Sequence, residues 1–242
     1  YKSICIIKLK IIDSLKYMSQ QLVNDENTTR KLRDYFCIHD EIQKVNNLKF
    51  LREQIAVYEV SNPNINNITY FYMKNGALEK INTTSLICTE LPSLNTLLYS
   101  KNQLAYYGPH DTFSIIGNYP VISLVRKMSL PDIPDLYLYI ETGYKQMGIF
   151  AAQTLDRLGA VYTVVSDNNK VIYSSDEKLL ARYTSAPTGQ YKAEIHDNMF
   201  LPYRLLSSQG WSLQVFVPYD AYNKYLNELS LGFILVTVLS TC

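Results

Sequence analysis

The chain has 242 residues, of which 47% are hydrophobic and 19% charged, with a formal net charge of +1. That is enough apolar content for one or two packed domains and too balanced a charge for a polyanion-binding surface, so nucleic acid is excluded as a partner. Four cysteines at 5, 37, 88 and 242 contain no C-x-x-C pair, and the three histidines at 39, 110 and 196 make no metal-ligand spacing, so neither a metal nor a cofactor is expected.

The thiols are expected to be free and buried, with a Cys37–Cys88 bridge left open. The first residue is Tyr1 rather than Met, which suggests a fragment of a longer protein.

Residues 3 to 23 carry Ile4, Ile7, Ile11, Leu15, Met18 and Leu22 at spacings of three and four, the stripe of an amphipathic helix. Lys8, Lys10 and Lys16 rule the run out as a membrane span. The stripe suits a core face or a dimer seam. "NDENTT" interrupts it with turn and capping residues. A second helix is expected from about Asp40 to Val60, with Ile42, Val45, Leu48, Leu51, Ile55 and Tyr58 as its apolar face.

"ITYFYMKNGALEKI" reads as a hairpin turning at Asn75-Gly76. Residues 91 to 107 read as a short helix or loop. "PVISLVRKM" (120–128) and "LYLYIE" (136–141) read as strands around the proline-rich "SLPDIPD". A helix is expected over "YKQMGIFAAQTLDRL". "AVYTVVS" and "KVIYSS" form a hairpin across "DNNK", and "DEKLLARY" is a short helix. "GQYKAEI", "FLPYRLLSS" and "WSLQVFV" supply three more strands. Strands with helices to one side make an α+β protein.

Pro218 ends the last strand, and Asp220 is a good helix N-cap. From Leu231 to Leu239 only Gly232 and Thr237 interrupt strong hydrophobes. The run is shorter than the roughly 20 residues that cross a bilayer, so it is expected to be the start of a truncated span, or else a buried terminal element.

A long first helix, two stacked α+β units and a membrane-entry helix, in that order, resemble the double-Cache sensor domains of bacterial membrane receptors. Within that group the chain resembles the extracytoplasmic halves of LytS/YesM-type sensor histidine kinases of Gram-positive bacteria. It is carried by "NPNINNITYFYMKNG", "VISLVRKM", "TVVSDNNKVIYSSD" and "GWSLQVFVPYDAYNKYLNEL", over about residues 40 to 230. The resemblance implies a stalk and dimer helix at 1–40, a membrane-distal PAS-like lobe at 41–142 and a membrane-proximal one at 143–229. A transmembrane helix would begin at 230–242. It also implies a homodimer anchored by flanking helices, with kinase, chemoreceptor or AraC-type output elsewhere in the receptor.

In such receptors the distal lobe usually holds the ligand. One subgroup uses Tyr-x4-Arg-x-Trp-Tyr-x2-Ala for amino acids. Laid on this chain, Tyr99 and Tyr106-Tyr107 fit, but Leu104 stands where the carboxylate-binding Arg belongs and His110 replaces Ala. Loss of that Arg removes a bidentate carboxylate anchor.

The candidate pocket residues are Tyr99, Tyr106, Tyr107, Asp111, Tyr119 and Arg126. Aromatic faces with a few polar groups suit a saccharide or peptide-like ligand, although the same tyrosines also suit plain sheet packing. A solute-binding protein docking on loops 83–119 and 130–135 is the alternative partner. No G-x-S-x-G, P-loop, G-x-G-x-x-G or H-E-x-x-H occurs, so no catalytic residue is expected. The two "IHD" tripeptides read as a helix cap at 39–40 and a strand turn at 196–197.

Overall fold

The computed structural model describes residues 10–74, 77–83, 92, 96–113, 119–146, 159–166, 171–176, 198–201, 211–218, 220, 223, 224 and 227. The chain divides into two compact units, one of residues 9–147 and the other made mainly from residues after 147.

The first unit begins with three helices, α1 (Lys10–Asn24), α2 (Glu26–Cys37) and α3 (Glu41–Ser61). Asp25 and Asp40 cap the second and third. The Asp25 carboxylate accepts from Asn27 N at 3.1 Å and Thr28 Oγ1 at 2.6 Å. The Asp40 carboxylate accepts from Ile42 N at 2.9 Å and Gln43 N at 3.2 Å. Each satisfies amides that a helix start leaves without intrahelical partners. The expected cap at Asp40 is therefore present.

A six-stranded antiparallel sheet follows, in the order β2-β1-β6-β5-β4-β3. Its strands are β1 (Asn67–Lys74), β2 (Ala77–Ile81), β3 (Leu97–Lys101), β4 (Leu104–Asp111), β5 (Pro120–Leu130) and β6 (Ile133–Gly143). Helix α1 packs on β5 and β6, α3 packs on β1 and β2, and α2 packs on α3. Leu15, Met18 and Leu22 of the stripe are buried together with Ile12, so over these residues the first helix presents a core face; Ile4 and Ile7 lie outside the described residues.

Three expectations change. Residues 97 to 111 form the β3–β4 hairpin, not a helix or loop; Asn102 and Gln103 turn it with φ of 51° and 65°. On α3 only Asn47, Leu51 and Ile55 are buried, and Ile42 and Val45 point to solvent, because the sheet is reached by the opposite side of the helix. Cys37 is free but exposed, not buried.

The second unit contains a four-stranded antiparallel sheet in the order β8-β7-β10-β9. Its strands are β7 (Val161–Val165), β8 (Val171–Ser174), β9 (Asn198–Leu201) and β10 (Ser212–Pro218). Tyr162 and Tyr173 stack at 5.8 Å, and Trp211 is fully buried. The hairpin of "AVYTVVS" with "KVIYSS" and the strand at "WSLQVFV" are as expected; of the strand expected at "FLPYRLLSS" only Phe200 and Leu201, at the end of β9, are described. Apart from residues 144–146 and 176, the expected helices at 144–158 and "DEKLLARY" lie outside the described residues, as do the strand "GQYKAEI", the turn at His196, Cys5, Cys88 and residues 228–242. Among the described residues no helix is long and apolar enough to cross a membrane.

Candidate functional site on the helix-free face

Residues opposite one another in an antiparallel pair share a face, so the register assigns every side chain of the six-stranded sheet. Tyr106 pairs with Leu124, Leu124 with Ile140 and Ile140 with Ile68. Leu104, Arg126, Leu138 and Tyr70 continue the same face, and the Arg126 Nε–H donates to Ser19 Oγ of α1 at 3.0 Å. This is the helix side. The other face, on which no helix among the described residues packs and which is therefore named the helix-free face, runs Tyr107–Ser123–Glu141–Asn67, then Ala105–Val125–Tyr139–Thr69, with Lys127, Tyr137 and Phe71 beyond.

A bulge in β4 adds one residue to the second face. Tyr107 pairs with Ser123, but the next pair is His110 with Val121, so β4 advances three residues while β5 advances two. The extra residue reverses the alternation. His110, an even-numbered residue like helix-facing Leu104 and Tyr106, therefore lies beside Tyr107 on the helix-free side. Gly108 makes the bulge possible. Its φ is +134°, and a Cβ there would stand 2.9 Å from the carbonyl oxygen of Val121.

At the centre of this face lies Glu141, fully buried. Its carboxylate accepts from Thr112 Oγ1 at 2.6 Å and Tyr139 Oη at 2.7 Å, with Phe113 N at 3.4 Å. All three donors are neutral. No cationic side chain among the described residues forms an ion pair with it.

His110 Nδ1 lies 2.7 Å from the Asp111 carbonyl and Nε2 2.8 Å from Ser123 Oγ. A carbonyl only accepts, so Nδ1 carries the proton and Nε2 accepts from the serine hydroxyl. Burial holds the His110 pKa below the usual histidine value, opposed by the Asp111 carbonyl and by the charges of Glu141 and Asp111. The imidazole is thus neutral at pH 7.

The rings of His110, Phe113, Tyr139 and Phe71 follow one another at 5.3, 5.2 and 5.7 Å. Tyr107 and Tyr137 pack against this apolar wall. Asn67, 1% exposed, accepts from Thr69 Oγ1 at 3.1 Å, while its Nδ2 donor has no hydrogen-bond partner among the described residues. The surface is an aromatic wall carrying a buried carboxylate, a neutral imidazole and one unused amide donor. Such a surface can bind a small polar molecule, and the carboxylate selects for positive charge.

The six residues singled out from sequence do not come together. Tyr107 stands on the helix-free face. Tyr106 and Arg126 are on the helix face, where Tyr99 meets Tyr106 at 6.2 Å between ring centroids. Asp111 is exposed at the end of β4. The Tyr119 hydroxyl accepts from Asn66 Nδ2 at 3.0 Å, and Asn66 Oδ1 accepts from Gly143 N at 3.0 Å, so Tyr119 ties strand ends together. Leu104, at the missing-arginine position, is buried on the helix face.

Sequence reasoning passed over Glu141, His110, Ser123 and Asn67. "LYLYIE" held a usable signal, since its alternation sets two tyrosines and a glutamate on one face and Leu, Leu and Ile on the other. A separate open groove of about 660 Å³, lined by Arg30, Arg33, Leu130 and Pro131 among others, lies at the far end of β5 and includes none of these residues.

The fold is that of Cache-type sensor domains. A domain of a sensory box/GGDEF family protein from Vibrio parahaemolyticus superposes with a TM-score of 0.56 at 13% identity, over 88% of this chain and 91% of that one. The extracellular domain of the histidine kinase vpHK1S-Z8 gives 0.52 at 13% identity, over 90% and 88%. The ligand-binding domain of the Pseudomonas aeruginosa PAO1 amino acid chemoreceptor PctB, in complex with L-Gln, gives 0.53 at 14% identity, over 96% and 93%. No family model and no curated protein matches the sequence.

Proposed function

We propose that the chain is the extracytoplasmic ligand-sensing domain of a transmembrane signal-transduction receptor, most simply a two-component sensor histidine kinase of the LytS/YesM type. Chemoreceptor or AraC-type output fits the same domain. The chain itself performs no catalysis. Residues 41–142 and 143–229 serve as distal and proximal lobes, residues 230–242 begin the second span, and the receptor works as a homodimer. The ligand is small and polar, of peptide-like or other amine-bearing character, and it binds the distal lobe on the helix-free face.

The observation that carries this choice is the fully buried Glu141 carboxylate, whose donors are two hydroxyls and an amide. A buried charge without a counter-charge is costly, and an ammonium or guanidinium group of a ligand supplies one. Tyr107 and Asn67 border the same place, the first as an aromatic face and the second as a free donor. With no arginine at position 104, the ligand needs no carboxylate of its own. Differential affinity for two packings of the receptor drives the switch, and the helices carry it onward as small displacements.

The test is thermal shift of the full chain with L-arginine, putrescine and a neutral dipeptide amide, with glucose as control. At a concentration near one hundred times its dissociation constant, a true ligand stabilises by about 2.7 kcal/mol, or a rise of about 5–10 °C. The amines are expected to give that rise in the native chain and none in Glu141→Gln, which keeps the shape of the side chain without its charge. A rise with glucose alone, or an amine response that survives Glu141→Gln, overturns the assignment.

A further inference from the structure

Helix α3 buries one side and leaves an apolar stripe on the other. Ile42, Val45, Val57 and Val60 are 75%, 64%, 58% and 85% exposed, while Asn47, Leu51 and Ile55 are buried. At about 100° per residue, the four exposed residues fall with Lys49 and Glu53 in a sector of about 120°, directly opposite the buried side. Single exposed hydrophobes are ordinary, but four β-branched ones along one solvent-facing stripe are not.

The stripe is symmetric about the level of Leu51. Ile42 and Val60 stand nine residues to either side of it, Val45 and Val57 six, and Lys49 and Glu53 two. We infer that α3 is an interface between two copies of this chain, paired antiparallel about a two-fold axis at the level of Leu51. Such an interface requires that if one residue meets another across it, the reverse contact also forms. Here Ile42 of each copy meets Val60 of the other, and Val45 and Val57 sit at matching levels on the flanks.

Charge fixes the direction. Lys49 Nζ lies 3.9 Å from Glu53 Oε1 in its own helix, with both side chains exposed. Antiparallel pairing sets Lys49 of each copy opposite Glu53 of the second copy, so charges alternate around the axis. Parallel pairing in register would set Lys49 against Lys49 and Glu53 against Glu53. Among the described residues of α1, Ile12, Leu15, Met18 and Leu22 are buried inside the chain and make no comparable exposed stripe. A 21-residue helix is about 31 Å long, and one such pair covers less than a standard interface, so the dimer is weak and concentration-dependent. The inference does not depend on the ligand or on the sensor role.

Sedimentation equilibrium of the full chain tests it. The native chain is expected to associate as its concentration rises. Lys49→Glu or Glu53→Lys alone is expected to raise the dissociation constant about tenfold, and the two together to restore it. In oxidative cross-linking with products mapped by peptide mass, chains carrying Ile42→Cys or Val60→Cys alone give no disulfide at those positions, and their mixture gives the 42–60 product. These positions are on the solvent side, so the variants keep the fold, which circular dichroism checks. A monomer at all concentrations, no rescue by the double reversal, or a 42–42 disulfide overturns the inference.

Discussion

Replacing Gly108 by Ala tests the bulge that brings His110 to the helix-free face. Two costs arise from the geometry. The backbone at φ +134° is a conformation that side-chain-bearing residues rarely adopt, which costs about 1–3 kcal/mol. The new Cβ would also stand 2.9 Å from Val121 O and 3.1 Å from Ile122 Cα, both backbone atoms of the central strand β5. Neither can swing away as a side chain would, and relieving such overpacking costs about 1–3 kcal/mol more. The sum is about 4 kcal/mol, or a fall of roughly 8–16 °C in melting temperature for a chain of this size. Gly143→Ala is the matched control. Its Cβ would meet nothing closer than Asn66 Nδ2 at 3.5 Å, an ordinary contact, so its cost is under about 1 kcal/mol. Calorimetry on both variants decides the matter. A Gly108→Ala melt within about 2 °C of the native chain, or equal losses in both variants, refutes the argument.

The buried His110 makes stability depend on pH. Its folded pKa lies below the ordinary histidine value of about 6.5, so between the two values the unfolded chain binds more protons. Stability is therefore expected to fall as pH drops below about 6.5 and to level off below the folded pKa. In His110→Gln, urea midpoints measured from pH 5 to 7 are expected to show a shallower slope. Asp40→Ala removes the acceptor shared by two amides at the start of α3. It is expected to cost about 1 kcal/mol, while Asp40→Asn costs a few tenths. Urea unfolding of the two variants side by side checks this.

Much of the first unit could be read by counting. Alternation marks β5 and β6, and Asn75-Gly76 marks the hairpin between β1 and β2. The β3–β4 hairpin escaped because its turn uses Asn102-Gln103, where φ is positive at both positions but no glycine announces it. Helix α2 escaped because it buries only Thr28 and Leu32, too few for a visible stripe. The exposed Ile42 and Val45 misled for the opposite reason, since spacing shows that a stripe exists and not whether it faces the core. The site was hardest. A period of two assigns faces only while the register is unbroken, and the bulge at Gly108 breaks it just before His110. Tyr106 and Tyr107 look alike in sequence yet lie on opposite faces, one under the helices and the other in the candidate site.

Glu59 closes one side of the large sheet. Its Oε1 accepts from Ile68 N at 2.9 Å, where β1 runs on past the end of β2, and its Oε2 accepts from Thr83 Oγ1 at 2.7 Å. Burial raises its pKa, which those two hydrogen bonds partly offset. An amide that would otherwise invite a foreign strand is thus occupied by a helix side chain. Both edge strands, β2 and β3, have five residues against eight to eleven inside the sheet, and each carries a lysine, Lys80 on β2 and Lys101 on β3. Short, charged edges resist strand addition. The large sheet of the first unit is thus guarded against adding foreign strands, which leaves helix α3 as the surface through which the pairing of copies inferred above would stay reversible.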